Sequence, residues 1–213
     1  MLEKELKIEY RTRYAANAIL VFCLTCSAVV SFALGGRADN SRQQAALLWV
    51  VIFFTAMSGL SRSFVKEEEA GTMRLLRVTC EPGPVFFGKV LFNLILLVSV
   101  MCALTILFIV FLNISIKNPA LYAAALGLAA LSVSFLCTLI SAMVAGARLR
   151  GTLFPILSFP MLLPVFMIAV ELTRLSFDGA PVAANTGQLY FLGAYAAASA
   201  IGCSFLFELL YYD

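Results

Sequence analysis

Histidine is absent from all 213 residues of this chain. That removes imidazole from metal ligation and from general acid–base chemistry, the two commonest uses of the side chain. Charge is scarce as well. Asp, Glu, Lys and Arg make up 13% of the sequence, against 62% hydrophobic residues. A water-soluble domain of this size has no core large enough to hide so much apolar surface, whereas a bilayer does. The net charge of +3 is too small and too scattered for a nucleic-acid partner. The six cysteines show no paired spacing that points to a disulfide framework. Cys23 and Cys26 do form C-x-x-C, but inside an apolar run without a βαβ context, where they read as small packing residues. No internal repeat of 20–50 residues is visible.

What is present is a series of six apolar runs, over 14–34, 45–60, 85–112, 120–147, 152–172 and 189–211. About 20 residues at 1.5 Å each cross about 30 Å of hydrocarbon. The second run is short, and the third and fourth are long enough to tilt. The predicted fold is an all-α integral membrane protein of six transmembrane helices in a single domain, 1–213. With the N-terminus inside, eleven Lys and Arg residues fall on the inner side and four (Arg37, Arg42, Lys117 and Arg174) on the outer, which predicts an N-in, C-in topology. Tyr10, Tyr14, Tyr211 and Tyr212 then fall near the inner boundary, and Trp49, Tyr122 and Tyr190 near the outer. Ahead of the first span, Leu2, Leu6 and Tyr10 recur opposite Lys4, Lys7 and Arg11. This pattern reads as a short interfacial amphipathic helix, not a cleavable signal peptide.

Two features inside the spans stand out. Gly127, Leu131, Ser134, Ser141 and Ala145 predict a close-packing face. Pro155, Pro160 and Pro164 punctuate the fifth run, and each removes a backbone hydrogen bond. That helix is expected to bend or break there unless neighbours satisfy the freed carbonyls, and two readings stay open: a simple kink, the commoner case, or the border of a substrate path. At the outer edge of the same run, Arg174 stands three residues beyond Glu171 and is placed to pair with it.

The charged island over 62–82, between the second and third runs, is the largest inner loop. Phe64, Val65, Leu75, Leu76 and Val78 share a broad helical face, with Lys66, Arg74 and Arg77 opposite. A helix or helix pair hinged at Gly71 and stopped by Pro82-Gly83-Pro84 is predicted. Gly83 to Lys89 matches G-x-x-x-x-G-K, but Val90 follows where a phosphate-binding loop needs Ser or Thr, and no strand precedes it. Lys89 therefore reads as a snorkelling lysine at the inner end of the third span. Glu67, Glu68 and Glu69 are consecutive, point about 100° apart on a helix and cannot converge on one metal ion. Neither catalysis nor metal binding is expected, which leaves docking of a soluble partner or a charged loop that is merely solvated.

The stretch SFVKEEEAGTMRLLRVTCEPGPVFFGKVL resembles the coupling segment of ABC-2-type transporter permeases. The likeness rests on Phe64, Glu67, Glu68, Gly71, Thr72, Leu75, Leu76, Pro82, Gly88 and Lys89, and departs at Arg74, where many members carry glutamate. A second stretch, ARLRGTLFPILSFPMLLPVFMIAVELT from Ala147, resembles the haem exporter protein B (CcmB) family. The resemblance implies a non-catalytic permease subunit in the bacterial inner membrane. Phe64, Glu67, Glu68, Gly71, Thr72, Arg74, Leu75 and Leu76 would dock a separate ABC ATPase that binds ATP-Mg. It also implies a homodimer, a haem-handling membrane subunit as partner, and haem as possible cargo in c-type cytochrome maturation, with no cofactor held by this subunit. Two other readings stay open: an ABC-2-type permease for a lipid-linked glycan, peptide or drug, and a membrane scaffold that recruits an ATPase.

Overall fold

The structure, a computed structural model, describes residues 14–35, 40–69, 71–72, 80–145, 147 and 150–212. The predicted interfacial helix and Arg74, Leu75 and Leu76 lie outside the described residues. Among those described there is no strand. The helices are α1 (Tyr14–Ala33), α2 (Ser41–Leu60), the short α3 (Val65–Glu69), α4 (Pro82–Leu112), α5 (Pro119–Val144), α6 (Arg150–Asp178) and α7 (Thr186–Tyr212), with a 3₁₀ turn over Val182–Asn185. Five of them, α2, α4, α5, α6 and α7, are long and apolar enough to cross a membrane, and α1 contributes a shorter apolar helix over Asn17–Ala33. The chain is a multi-pass membrane protein.

Local chemistry sets the helix ends. The second apolar run, short by composition, becomes a 20-residue helix because Asn40 caps it, its side-chain oxygen accepting from the Arg42 amide at 2.9 Å. Asn118 caps α5 in the same way, accepting from the Leu121 amide at 3.1 Å, with Pro119 following. α4 opens with proline in its first turn and ends on Asn113 in the left-handed conformation, φ 52°.

α5 is the hub. It packs most extensively on α6, α7 and α4, and 61% of its apolar window is buried, against 28% for α4 and α6 and 22% for α7. Ala125, Ala129, Ala130, Ser132 and Val133 are fully buried, and side chains this small let the neighbouring backbones close in. Gly127 departs from the predicted close-packing face: it is exposed, with nothing within 4 Å of the position a Cβ would take. The outer helices keep large apolar side chains exposed, among them Phe32, Ile106, Val110, Met167, Ile201 and Phe205, as a hydrocarbon solvent requires.

The aromatic belt is only partly a belt. Trp49 and Tyr122 are buried, with Trp49 Nε1 donating to Thr173 Oγ1 at 2.9 Å and Tyr122 Oη sharing a 2.7 Å bond with Thr105 Oγ1. Tyr211 is buried too, while Tyr190 is exposed. Each inward ring has found a polar partner within the bundle, which removes its need for the interface.

Candidate functional site: the seat of the charged segment

The turn that leaves α2 delivers Ser63 and Phe64 into the bundle, and α3 follows at once. Phe64 is fully buried beside Phe207 (centroids 5.5 Å apart), and Phe207 stacks on Phe86 at 4.8 Å. This aromatic floor joins the segment to α4 and α7. Its edge is closed by Tyr211 Oη, which donates to the Cys80 carbonyl at 3.1 Å.

Above the floor sits an ion pair. Lys89 on α4 is 1% exposed and Glu67 on α3 is 5% exposed. Lys89 Nζ donates to Glu67 Oε1 at 3.0 Å and to the Ser63 carbonyl at 2.8 Å, and lies 5.5 Å from the Phe64 ring centroid. Lys89 therefore does not snorkel. The acid three residues after Phe64 and the carbonyl one residue before it draw the ammonium inward, which sequence spacing alone cannot foresee. Loss of either partner would strand a buried charge, which typically costs about 3–5 kcal/mol.

A polar relay continues beneath. Ser63 Oγ donates to Asn93 Oδ1 at 3.0 Å, Asn93 Nδ2 donates to Thr138 Oγ1 at 2.8 Å, and Thr138 Oγ1 donates to the Ser134 carbonyl at 2.6 Å. Alongside it, Ser141 Oγ donates to the Ser61 carbonyl and accepts from the Phe64 amide, both at 3.2 Å. The charged segment is thus bonded to α4 and to the hub helix α5 through buried groups, where a satisfied network fixes one geometry.

The far end of α3 is shaped by glycine. The Gly71 amide donates to the Glu68 carbonyl at 3.1 Å and the Thr72 amide to the Glu67 carbonyl at 3.0 Å, the paired bonds of a Schellman stop. Gly71 has φ +66°, so the predicted hinge is a left-handed helix terminus. The Thr72 hydroxyl lies 3.4 Å from Glu67 Oε2, adding a second contact to the same carboxylate.

The predicted docking residues thus divide. Phe64 and Glu67 turn into the bundle and Thr72 leans on Glu67, whereas Glu68 and Gly71 are exposed. The expected divergence of the three glutamates holds, since Glu67 is buried while Glu68 and Glu69 are exposed. Ser63, Asn93, Thr138 and Ser141 did not stand out as site residues in the sequence. The available signal was periodic: Asn93 follows Lys89 by four residues, and Ser134, Thr138 and Ser141 recur at i, i+4 and i+7 on one face of an apolar helix.

The prolines do not break the helix. α6 runs unbroken through Pro155, Pro160 and Pro164. Its buried stripe is carried instead by Phe154, Ser158, Leu162, Val165 and Ala169; Pro160 is exposed and the other two prolines are half-buried. No proline ring is driven into the core. Tyr195 Oη on α7 also donates to the Met161 carbonyl at 2.6 Å, one residue past the Pro160 carbonyl that Pro164 leaves without an amide. At the other end of α6 the expected ion pair is present, Arg174 to Glu171 at 2.6 Å, extended to Asp178 at 2.8 Å and to Arg42 at 3.8 Å.

No cluster of three or more potential metal-ligating side chains occurs among the described residues. Compared with known families, residues 1–208 match the family described as CcmB protein. No curated protein matches the chain.

Proposed function

The chain belongs to the CcmB protein family, and from that premise we propose that it is the permease subunit of an ATP-driven complex that handles haem for c-type cytochrome maturation. The complex sits in the bacterial inner membrane, with six spans of this chain, both termini inside, and two copies of the chain paired with two ABC ATPase subunits and a haem-handling membrane subunit. The segment over 62–82 is the coupling element. Glu68 and the Gly71 turn face the ATPase, while Phe64 and Glu67 hold the segment to the bundle.

The observation that carries this reading is the buried Glu67–Lys89 pair. A loop that only recruits a partner needs no rigid attachment. One that transmits movement does, and here displacing α3 pulls on α4 through Lys89 and on α5 through Ser141. Both helices belong to the core around the hub.

The test is covalent haem in c-type cytochromes, read on a haem-stained gel from a strain lacking the gene and complemented with wild type, Glu68→Ala or Gly71→Ala. Wild type is expected to restore staining. The two variants are expected to co-purify with the ATPase yet restore little haem. Full staining from variants that assemble would favour a scaffold, and staining unchanged by deletion of the gene would sink the assignment to cytochrome maturation.

A further inference from the structure

A groove of about 700 Å³ lies between the first turns of α4 and the last turns of α7, on the flank of the aromatic floor. Its walls are Pro84 and Phe87 from α4 and Ile201 and Phe205 from α7, and its mouth carries Glu81 and Glu208. Phe87, Ile201 and Phe205 are exposed, so the trough opens sideways, away from the bundle. Glu81 and Glu208 are exposed too, and neither has a basic partner among the described residues. They sit at the same end of the trough, because the Tyr211–Cys80 hydrogen bond ties the close of α7 to the entrance of α4.

This is an amphiphile's complement: an apolar trough beneath the membrane boundary, with two negative charges at its end that have no basic partner among the described residues. Length decides between the amphiphiles. On α7 the groove runs from Ala200 to Glu208. At 1.5 Å per residue that is about 12 Å, close to the hydrocarbon depth of one leaflet, half of about 30 Å. A spanning helix from a partner protein would need a seat about twice as long. The charge decides the headgroup, since two carboxylates repel an anionic lipid and attract an ammonium.

We propose that this groove binds one phospholipid with a primary-amine headgroup from the adjoining leaflet, its ammonium at Glu81 and Glu208 and an acyl chain along Phe87, Ile201 and Phe205. The site requires only that the chain sit in a bilayer and is independent of what the complex transports. A lipid held there would brace the aromatic floor from the membrane side, since Phe86 and Phe207 form both the floor of the groove and the wall behind Phe64.

The test is native mass spectrometry of the purified full chain, incubated with equimolar dioleoyl phosphatidylethanolamine and dioleoyl phosphatidylglycerol. One retained phosphatidylethanolamine is expected, preferred by about fivefold or more, as two exposed ion pairs allow. Glu81→Gln with Glu208→Gln is expected to abolish the preference while leaving the thermal melt unchanged, because both side chains are exposed. Independently, a benzophenone amino acid at Phe205 in native membranes is expected to yield an adduct with the mass of that phospholipid. No headgroup preference in wild type, a preference that survives the double substitution, or a crosslink to a polypeptide would each overturn the proposal.

Discussion

At the scale of single residues the chain behaves as two materials. Most positions need only be apolar, but several polar ones in the interior are matched to a partner. Lys89 is the extreme case, an ammonium 1% exposed whose near neighbours include a carboxylate, a carbonyl and an aromatic face. Removing one partner differs from removing both. Glu67→Ala is expected to lower stability by about 3–5 kcal/mol, because the buried ammonium is left without its carboxylate. Glu67→Leu combined with Lys89→Met is expected to cost distinctly less, since no charge is then stranded. Thermal unfolding of the detergent-solubilised variants reads both, and equal losses would mean that the pair's charge is not what matters. The combined variant also has a functional signature: it is expected to fold but to deliver little haem, because α3 no longer grips α4. Gly71 offers a cleaner residue-scale case. A Cβ there would meet nothing within 4 Å among the described residues, so the expected stability cost of Gly71→Ala is that of the left-handed backbone at φ +66°, about 1–2 kcal/mol. The same melts are expected to show that loss, and Gly71→Asn, which tolerates the conformation better, is expected to show less of it.

At the scale of elements, α6 shows how context overrides a strong local rule. Three prolines in one helix predict a bend or a break, and the helix continues without a break, held to α7 by the hydrogen bond from Tyr195 to the Met161 carbonyl. Tyr195→Phe is therefore expected to cost about 1 kcal/mol, the net worth of one hydrogen bond. Pro164 leaves the Pro160 carbonyl without an amide, one residue before the carbonyl that Tyr195 bonds, so the cost is expected to be the same in a Pro164→Ala background. A double-mutant cycle on melting free energies checks this, and a Tyr195→Phe cost that shrinks in the Pro164→Ala background would show the tyrosine standing in for the missing amide. Most of the fold was legible in the sequence because hydropathy marks helices directly: the apolar runs became helices, with ends shifted by caps such as Asn40 that composition alone hides. The inward side of each helix was less legible. Lys89, Trp49 and Tyr122 look like boundary residues by type, and only the positions of Glu67, Thr173 and Thr105 on other turns and helices draw them inside. The site was half legible for the same reason. The charged island stands out from the apolar runs around it, but nothing in its linear order says that Phe64 and Glu67 face the bundle while Glu68 is exposed.

At the scale of the whole molecule, burial runs inward from the lipid-facing helices to α5, so a force on the charged segment reaches the centre in one step. That arrangement transmits movement usefully only if the segment and the close of α7 share one side of the membrane and the Glu171–Arg174–Asp178 cluster occupies the other. The positive-inside count requires the same division, because Arg42, Lys117 and Arg174 gather at the end opposite Lys89. Two single-cysteine chains, made after the remaining native cysteines are replaced by alanine or serine, separate the possibilities. Cys80 is exposed beside the charged segment, and Lys117→Cys places a thiol in the connection between α4 and α5. With an impermeant maleimide added to intact cells whose outer barrier is open, the cysteine at 117 is expected to label and Cys80 to stay unlabelled until the inner membrane is permeabilised. The reverse pattern would place the charged segment outside, where no ATPase can reach it, and the coupling mechanism would fail whatever the cargo.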